Sequence, residues 1–392
     1  MEPLLPESRR HELAELSVEV IGRSQALAQM VPSLVSRQRI ASLVHGMNSY
    51  YSNLIEGHKT FPREIEQALR NDFSDNADKR ANQHLSASHI AVEQLMRSRL
   101  EQEPELCVQS PEFICWLHRE FYNRLPEELR FGERRNGAKY RIGIGEFRDF
   151  EVDVGGHQPP HSQALAGFME RFGGFYSSNR ILATNQLIAL AAAHQRLAWI
   201  HPFGDGNGRV ARLHSQAWLI RCGADSGGLW TISRGLARQR EEYYRHLSAA
   251  DQGRQSDFDG RGNLSDKGLA GFCVFFVRSM LDQIDFMASL LELKTLAARM
   301  QAHLHVTYPH WSLKEREQTG HILKAALVDG EIDRGTATRV AGVSPATGSK
   351  LIRKALQEGL LSTPSPKGLL SPVFDSKVLE SYFPKLYQDL PV

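Results

Sequence analysis

The sequence predicts a mainly α-helical protein with one short β-hairpin and a C-terminal winged helix-turn-helix domain. Three observations carry that expectation. Apolar residues recur at three- and four-residue spacing over most of the chain. Between 137 and 160 this pattern gives way to GAKYRIGIGEFRDFEVDVGGHQPP, in which small, aromatic and charged residues alternate before Gly155-Gly156 and Pro159-Pro160. That change reads as a short exposed hairpin. From about 312, helical segments at 313–328, 335–341 and 345–358 precede LLSTPSPKGLLSPVF, two short apolar runs around a Pro/Lys/Gly turn. The tight break at Gly342-Val343-Ser344-Pro345 gives these segments the layout of a winged helix-turn-helix.

Taken in order, segments 35–57, 62–70, 82–100 and 112–124 are the first helices. Asn185 is placed to cap a helix through Leu187, Leu190, Ala191, His194, Leu197 and Ile200, an apolar face broken by His194. That helix must stop near Pro202, because the residue before a proline avoids the α region. A second helix starts near Asn207–Arg209 and runs through Leu213, Trp218 and Ile220 towards Gly223. Residues 251–267 are a polar, glycine-rich loop, and long helices resume until about 303. The expected divisions are an N-terminal helical region at 1–110, a core at 111–250, a loop and long helices completing it at 251–305, and the winged domain at 306–392.

At 392 residues there is room for two or three domains, and 41% hydrophobic with 23% charged residues is ordinary for a soluble globular protein. A net charge of +2 gives no global polybasic signal for nucleic acid or a membrane surface. Cys107, Cys115, Cys222 and Cys273 form no C-x-x-C pair and read as thiols in a reducing compartment. The N-terminal MEPLLPESRRHELAEL has no apolar stretch of the kind a signal peptide carries. The stretch from Leu269 to Leu293 is interrupted by Arg278, Asp282 and Asp285, as in a packed core helix rather than a membrane span. The cytoplasm is the expected location.

The chemistry is concentrated in His201-Pro202-Phe203-Gly204-Asp205-Gly206-Asn207-Gly208-Arg209-Val210-Ala211-Arg212. Gly206, Asn207 and Gly208 let backbone N–H groups converge without Cβ obstruction. They precede a helix whose N-terminus carries unpaired donors and partial positive charge, an anion site suited to a di- or triphosphate. Arg209 and Arg212, three apart, share a helix face and suit phosphate oxygens as forks. Asp205 supplies a hard oxygen ligand for magnesium. His201 titrates near neutral pH and suits the role of general base for a hydroxyl. Phe203 has no polar role and anchors the loop. Competing patterns fail on context. Asp-Gly and Asn-Gly favour hairpins, but both flanks are helical. A calcium loop needs an oxygen ligand where Arg209 stands. A dinucleotide fingerprint needs a preceding strand, and a helix precedes.

This run matches, at every position, the signature H-x-F-x-[D/E]-G-N-G-R-x-x-R, and the chain therefore resembles Fic-domain proteins. The flanking AAAHQRLAWI and VARLHSQAWLI also look like that family's helices. The resemblance implies a Fic-type helical core that transfers AMP from Mg-ATP to Ser, Thr or Tyr of a target protein, or of itself. In that scheme His201 deprotonates the hydroxyl, Asp205 holds Mg2+, Gly206, Asn207 and Gly208 cradle phosphates, and Arg209 and Arg212 bind the outer ones.

A second string, Ser52-Asn53-Leu54-Ile55-Glu56-Gly57, ends a predicted helix. Gly57 suits a C′ position, but a glutamate there opposes the helix dipole and needs an outside partner. The string resembles the family's inhibitory motif [S/T]-x-x-x-E-[G/N], which implies an ion pair between Glu56 and Arg212 that keeps Arg212 from the γ-phosphate. Gly145-Glu146-Phe147-Arg148 and the following VDVGGHQPP look like the family's flap, whose edge would align a target segment by strand addition. Tyr140, Phe147 and Phe150 suffice as packing residues.

The second helix of the C-terminal domain carries Lys350, Arg353 and Lys354 against Glu358, a basic face of the kind DNA binding requires. From 301 onward, however, 11 Lys and Arg face 9 Asp and Glu, and winged helices also dock proteins or dimerise. DNA binding and a homodimer are both left open. Three alternatives to AMP transfer remain at this stage. One is removal of AMP with Glu56 orienting water, another is transfer of UMP, phosphate or phosphocholine, and the last is a nucleotide-sensing DNA-binding regulator.

Overall fold

A computed structural model describes residues 1–134, 137–177 and 181–387. The chain divides into two compact units. Unit 1 comprises Met1–Arg23, Asn48–Asp225 and Thr231–Gln283, and unit 2 comprises Ser24–Met47, Ser226–Trp230 and Ile284–Val392. The fold is mainly helical, as expected, with a small two-stranded sheet in each unit.

The helices contributing to unit 1 are α1 (Arg10–Met30), α2 (Leu34–Ile55), α3 (Pro62–Leu69), α4 (Ala77–Gln102) and α5 (Pro111–Asn123). They are followed by α6 (Leu165–Tyr176), α7 (Gln186–Ile200), α8 (Asn207–Arg221), α9 (Ile232–Arg238), α10 (Arg240–Asp251) and α11 (Asp266–Leu291). Ser110 caps α5 through the Phe113 N–H, with Pro111 at the first helical position, where its missing N–H costs nothing. Helices α7 and α8 pack directly on each other, and α4, α5 and α6 surround the pair. Leu190, Ala191 and Ala192 of α7, and Ala211, Leu213 and Ala217 of α8, are buried. Small side chains here let the two backbones approach closely. Every residue of α7 from Leu187 to Leu197 is buried, so this helix is core all round rather than one-faced.

The hairpin lies earlier than the sequence suggested. Strand β1 (Phe131–Glu133) pairs antiparallel with β2 (Lys139–Arg141) in the register Phe131↔Arg141, Gly132↔Tyr140 and Glu133↔Lys139. Gly132 is required by this register, since a Cβ there would overlap the Tyr140 ring. Only the start of 137–160 is therefore strand. The remainder is loop, apart from a tight turn in which Val154 and His157 exchange both backbone hydrogen bonds (3.0 and 2.9 Å) around Gly155-Gly156.

Unit 2 includes α12 (Leu293–Thr307), α13 (Leu313–Asp329), α14 (Arg334–Val340), α15 (Pro345–Gln357), strands β3 (Leu361–Ser362) and β4 (Ser371–Pro372), and α16 (Leu379–Tyr382). Ser312 and Glu315 form a reciprocal capping box on α13, and Asp333 and Ser344 cap α14 and α15. A turn with Gly342 at φ +64° separates α14 from α15. Leu361 pairs with Pro372 and Ser362 with Ser371. Residues 388–392 of the expected C-terminal domain lie outside the described residues.

Among the described residues no helix is long and apolar enough to cross a membrane, and the four cysteines are free thiols.

Candidate active site

The HPFGDGNGR run forms the turn between α7 and α8. His201 caps the C-terminus of α7 in the left-handed region (φ 51°, ψ 60°), its N–H bonded to the Leu197 carbonyl at 3.1 Å. A non-glycine residue held there stores about 1–3 kcal/mol of backbone strain. Packing holds it in place. Phe203 is fully buried and stacks on His118 of α5 with ring centroids 4.0 Å apart. Asn207 closes the loop from below, its Oδ1 accepting from the Phe203 N–H (2.9 Å) and its Nδ2 donating to the Phe203 carbonyl (2.8 Å). The Asn207 side chain is thus committed to the loop, and what it offers an anion is its backbone N–H.

Helix α8 starts after Gly206, which has φ +79° and lies so close to the Tyr122 ring that a Cβ there would clash. The first intrahelical bond runs from the Val210 N–H to the Gly206 carbonyl. The N–H groups of Asn207, Gly208 and Arg209 therefore belong to the open first turn, where a helix carries partial positive charge.

His201 and Asp205 have contrasting electrostatics. Burial pushes the His201 imidazole down to about 4, although one ring nitrogen donates to the Ala198 carbonyl. At neutral pH the ring is uncharged, and the bond to Ala198 directs the lone pair of its other nitrogen elsewhere. For Asp205, partial desolvation by its neighbours would favour protonation. Arg209 at 3.3 Å, the Tyr122 hydroxyl at 2.8 Å and the Gly206 N–H outweigh it and hold the carboxyl below the usual carboxylate range. The Asp205 side chain remains half-exposed. Arg209 in turn is buried over the Phe121 ring at 5.1 Å.

Arg212, 1% exposed, is held by both residues of the second string. Its Nε donates to Ser52 Oγ at 3.0 Å, and its Nη2 donates to the Ser52 carbonyl at 2.8 Å and to Glu56 Oε1 at 2.6 Å. Ser52 lies in the last turn of α2 and Glu56 just beyond it. Gly57 follows with φ +89°, a conformation natural to glycine. Burial works against the Glu56 charge, but Arg212 and Arg209 keep its carboxyl below the ordinary range.

The expected flap residues divide. Gly145 is buried at φ +74°, its N–H donating to His118 Nδ1 at 2.9 Å. Phe147 tilts against Phe203, and Glu146 is exposed. Arg148, expected on an exposed edge, is 4% exposed. Its guanidinium donates to the carbonyls of His201 (2.9 Å), Phe150 (2.8 Å) and Pro160 (2.6 Å), and its backbone N–H donates to Pro202 (2.9 Å). A planar fork with five donors can satisfy several converging carbonyls at once. Arg148 therefore binds loop to loop, leaving the edge to 154–157.

A recess of about 420 Å³ joins some of these parts, while Asp205, Arg209 and Gly145–Arg148 lie outside its lining. It is lined by Glu56, His201, Asn207, Gly208 and Arg212, by Val154–His157, and by Tyr243, Tyr244, Leu247, Ser248 and Asp251 of α10. The sequence reading missed the α10 wall, as well as His118, Tyr122 and His157. Aromatic residues at helical spacing look like ordinary core. The one available signal was the four-residue spacing of His118 and Tyr122, which puts both on a single face of α5, where His118 Nε2 donates to the Asp205 carbonyl and Tyr122 to its carboxylate.

Among the described residues no cluster of three His, Cys, Asp or Glu side chains could hold a metal. A lone half-exposed carboxylate beside an anion site does fit magnesium, which takes one or two carboxylates and completes its shell with water and phosphate oxygens.

Residues 108–219 match the model of the Fic/DOC family. The chain is 36% identical over 137 residues to a protein adenylyltransferase Fic of Drosophila mojavensis, covering 35% of this chain and 26% of that protein. A protein adenylyltransferase Fic of Culex quinquefasciatus is 37% identical over 129 residues, covering 33% and 25%. The chain thus spans about a quarter of the length of these curated relatives. In fold it resembles a Fic family protein from Desulfovibrio desulfuricans G20, with a TM-score of 0.53 at 16% identity over 96% of this chain and 98% of that one. It also resembles Fic-1 from C. elegans, with a TM-score of 0.53 at 15% identity over 72% and 75%. The turn between α7 and α8, identified from its motif, lies inside the matched segment, and it is over this segment that the chain is similar to the Fic/DOC family.

Proposed function

We propose that the chain is a protein adenylyltransferase, moving AMP from Mg-ATP to a Ser, Thr or Tyr hydroxyl of a target protein or of itself. The observation that supports this most is the meeting, in one recess, of a neutral histidine, the open first turn of α8 and Arg212. His201 takes the proton of the target hydroxyl on the ring nitrogen not bonded to Ala198. The hydroxyl oxygen bonds to the α-phosphorus, and the bond from that phosphorus to the bridging oxygen breaks. Pyrophosphate departs with the electron pair, leaving a phosphodiester on the target. Asp205 would hold Mg2+, which when bound offsets charge on the phosphates. The backbone of Gly206, Asn207 and Gly208 faces those phosphates, with Arg209 and Arg212 taking the outer ones. The turn at 154–157, with Gly145–Arg148 behind it, aligns the target segment.

In this reading the contact from Glu56 to Arg212 is inhibitory, because a guanidinium occupied by a carboxylate is lost to a γ-phosphate. Incubation with Mg2+ and ATP labelled on the α-phosphate tests the proposal. The native chain should take up little label, Glu56→Gly much more, and Glu56→Gly with His201→Ala none. Absence of label from Glu56→Gly, even with cell lysate as substrate, would refute AMP transfer to protein. Removal of AMP stays a second reading, favoured by one observation: the Glu56 carboxylate lines the same recess as His201, where it would orient a water.

Helices α13 to α15 with the β3–β4 hairpin are read as a winged helix, and the cytoplasm as the site of action. The charge pattern of α15 argues against a DNA reader. Lys354 lies 2.7 Å and Lys350 3.5 Å from Glu315, so two of the three expected phosphate contacts are already partnered. A protein-docking or dimerising role fits that neutralised face better.

A further inference from the structure

Among the described residues, the two side chains that bond to the Asp205 carboxylate reach the same oxygen. The Tyr122 hydroxyl donates to Oδ2 at 2.8 Å, and Arg209 Nη2 donates to it at 3.3 Å. An aspartate four residues before an arginine can form a two-point pair with it, each carboxylate oxygen taking one N–H of the fork. That pair is not made here. Arg209 Nε, the second donor on the Nη2 side of the guanidinium, is buried with no hydrogen-bond partner.

The tyrosine that keeps the pair open is itself tightly fixed. Its side chain is 1% exposed and its ring stacks on His118 with centroids 4.5 Å apart. Gly206 closes on the same ring, since a Cβ there would come within 2.8 Å of it. His118 is held in one tautomer. The Gly145 N–H can only donate, so Nδ1, 2.9 Å away, accepts. Nε2 then carries the ring proton and donates to the Asp205 carbonyl at 3.2 Å. Two residues one turn apart on α5 thus set both the backbone and the carboxylate of Asp205.

We infer that Tyr122 is a positioning residue that keeps the Asp205 carboxylate from closing onto Arg209, reserving one carboxylate oxygen for magnesium and the arginine for phosphate. The inference rests on the adenylyltransferase reading, in which Asp205 is the metal ligand. Without the Tyr122 hydroxyl, a carboxylate turned towards Nε would satisfy both charges and spend both groups on each other. Tyr122 acts through the direction of that carboxylate, as residues behind a metal ligand do.

The test uses the full chain in the Glu56→Gly background and reads equilibrium binding of ATP with Mg2+ and with EDTA. The ratio of the two affinities measures how far the site depends on the metal. Asp205→Ala sets the ratio that remains without the carboxylate. Tyr122→Phe should lower the ratio about 10- to 100-fold, the usual cost of losing a residue that orients a metal ligand, or down to the Asp205→Ala value if that is reached first. Added to Asp205→Ala, it should change the ratio by less than about twofold, because no carboxylate is left to aim. The positioning role is overturned, with the adenylyltransferase reading intact, if Tyr122→Phe keeps the parent ratio or lowers it equally on top of Asp205→Ala. Loss of the cooperative melting transition in Tyr122→Phe would overturn it too, by making the hydroxyl architectural. If Asp205→Ala leaves the parent ratio unchanged, the role falls with the magnesium assignment of Asp205. If the Glu56→Gly chain binds no ATP, the adenylyltransferase reading falls as well.

Discussion

The carboxylate of Glu56 rests against Gly208, in the first turn of α8. A Cβ at 208 would collide with Glu56 Oε1 and come within 3.1 Å of Arg212 Nη1. The same small residue that opens the helix N-terminus to an anion therefore accommodates a side-chain carboxylate there. In the proposed reaction a phosphate would take the place Glu56 occupies.

Gly208→Ala should accordingly displace Glu56 without creating an active enzyme, because the added methyl fills the space it clears. Labelling by α-labelled ATP should stay near the native level. The double variant Glu56→Gly with Gly208→Ala should label at least about tenfold less than Glu56→Gly alone. Equal labelling of those two chains would show that the first turn of α8 is not where phosphate sits.

Glu56→Gly should trade stability for activity. It removes a charge-assisted contact to a guanidinium that is 1% exposed, which costs about 1–3 kcal/mol. The side chain and carbonyl of Ser52 remain as partners, so the loss should not approach that of an isolated buried charge. Thermal melting should shift down by a few degrees while labelling rises, and an unchanged Tm would mean the pair contributes nothing to folding.

His201→Ala should reduce transfer by about 10²–10⁴-fold or more yet leave ATP binding nearly intact, since a general base acts on the hydroxyl rather than on the phosphates. Equilibrium binding alongside label incorporation separates the two effects. A parallel loss of both would move His201 from chemistry to architecture.

Acid should unfold unit 1 through its histidines. Burial depresses His118, His201 and His214 to about 4 and His194 to about 3. Below about 6.5 the unfolded chain takes up protons that the folded chain refuses, so stability falls as pH drops from 6.5 towards 4. Each such group adds up to about 1.4 kcal/mol per pH unit to the slope. Melting temperatures across this window should fall steeply, and His214→Gln should make the decline shallower. A flat profile would mean these rings are protonated in the folded state.

Duplex DNA should bind α15 weakly, with a shallow dependence on salt, because Glu315 already partners Lys350 and Lys354. Glu315→Gln should increase binding measured by fluorescence anisotropy. Tight, steeply salt-dependent binding by the native chain would restore the DNA-reader interpretation.

The helices and the α7–turn–α8 unit were legible in the sequence because each rests on local signals: apolar period, caps, glycines and a proline. The pairing of Glu56 with Arg212, 156 positions apart, was expected only through family resemblance, since no local rule names a partner at that distance. Arg148 was misplaced for a related reason. Its neighbours alternate like an exposed strand, and nothing in that alternation reveals three backbone carbonyls, at Phe150, Pro160 and His201, converging on one guanidinium. The α10 wall stayed hidden because Tyr243 and Leu247 are indistinguishable in sequence from packing residues.

Arg148 has one more consequence. Its guanidinium bonds to the carbonyl of His201 and to those of Phe150 and Pro160, which bracket the segment containing 154–157. A single side chain thus works as a keystone. His201 and the turn at 154–157 cannot drift apart without breaking it, so their spacing is set by the span of one guanidinium. Lysine, a point charge with no fork, would keep the sign of the charge and lose the ruler.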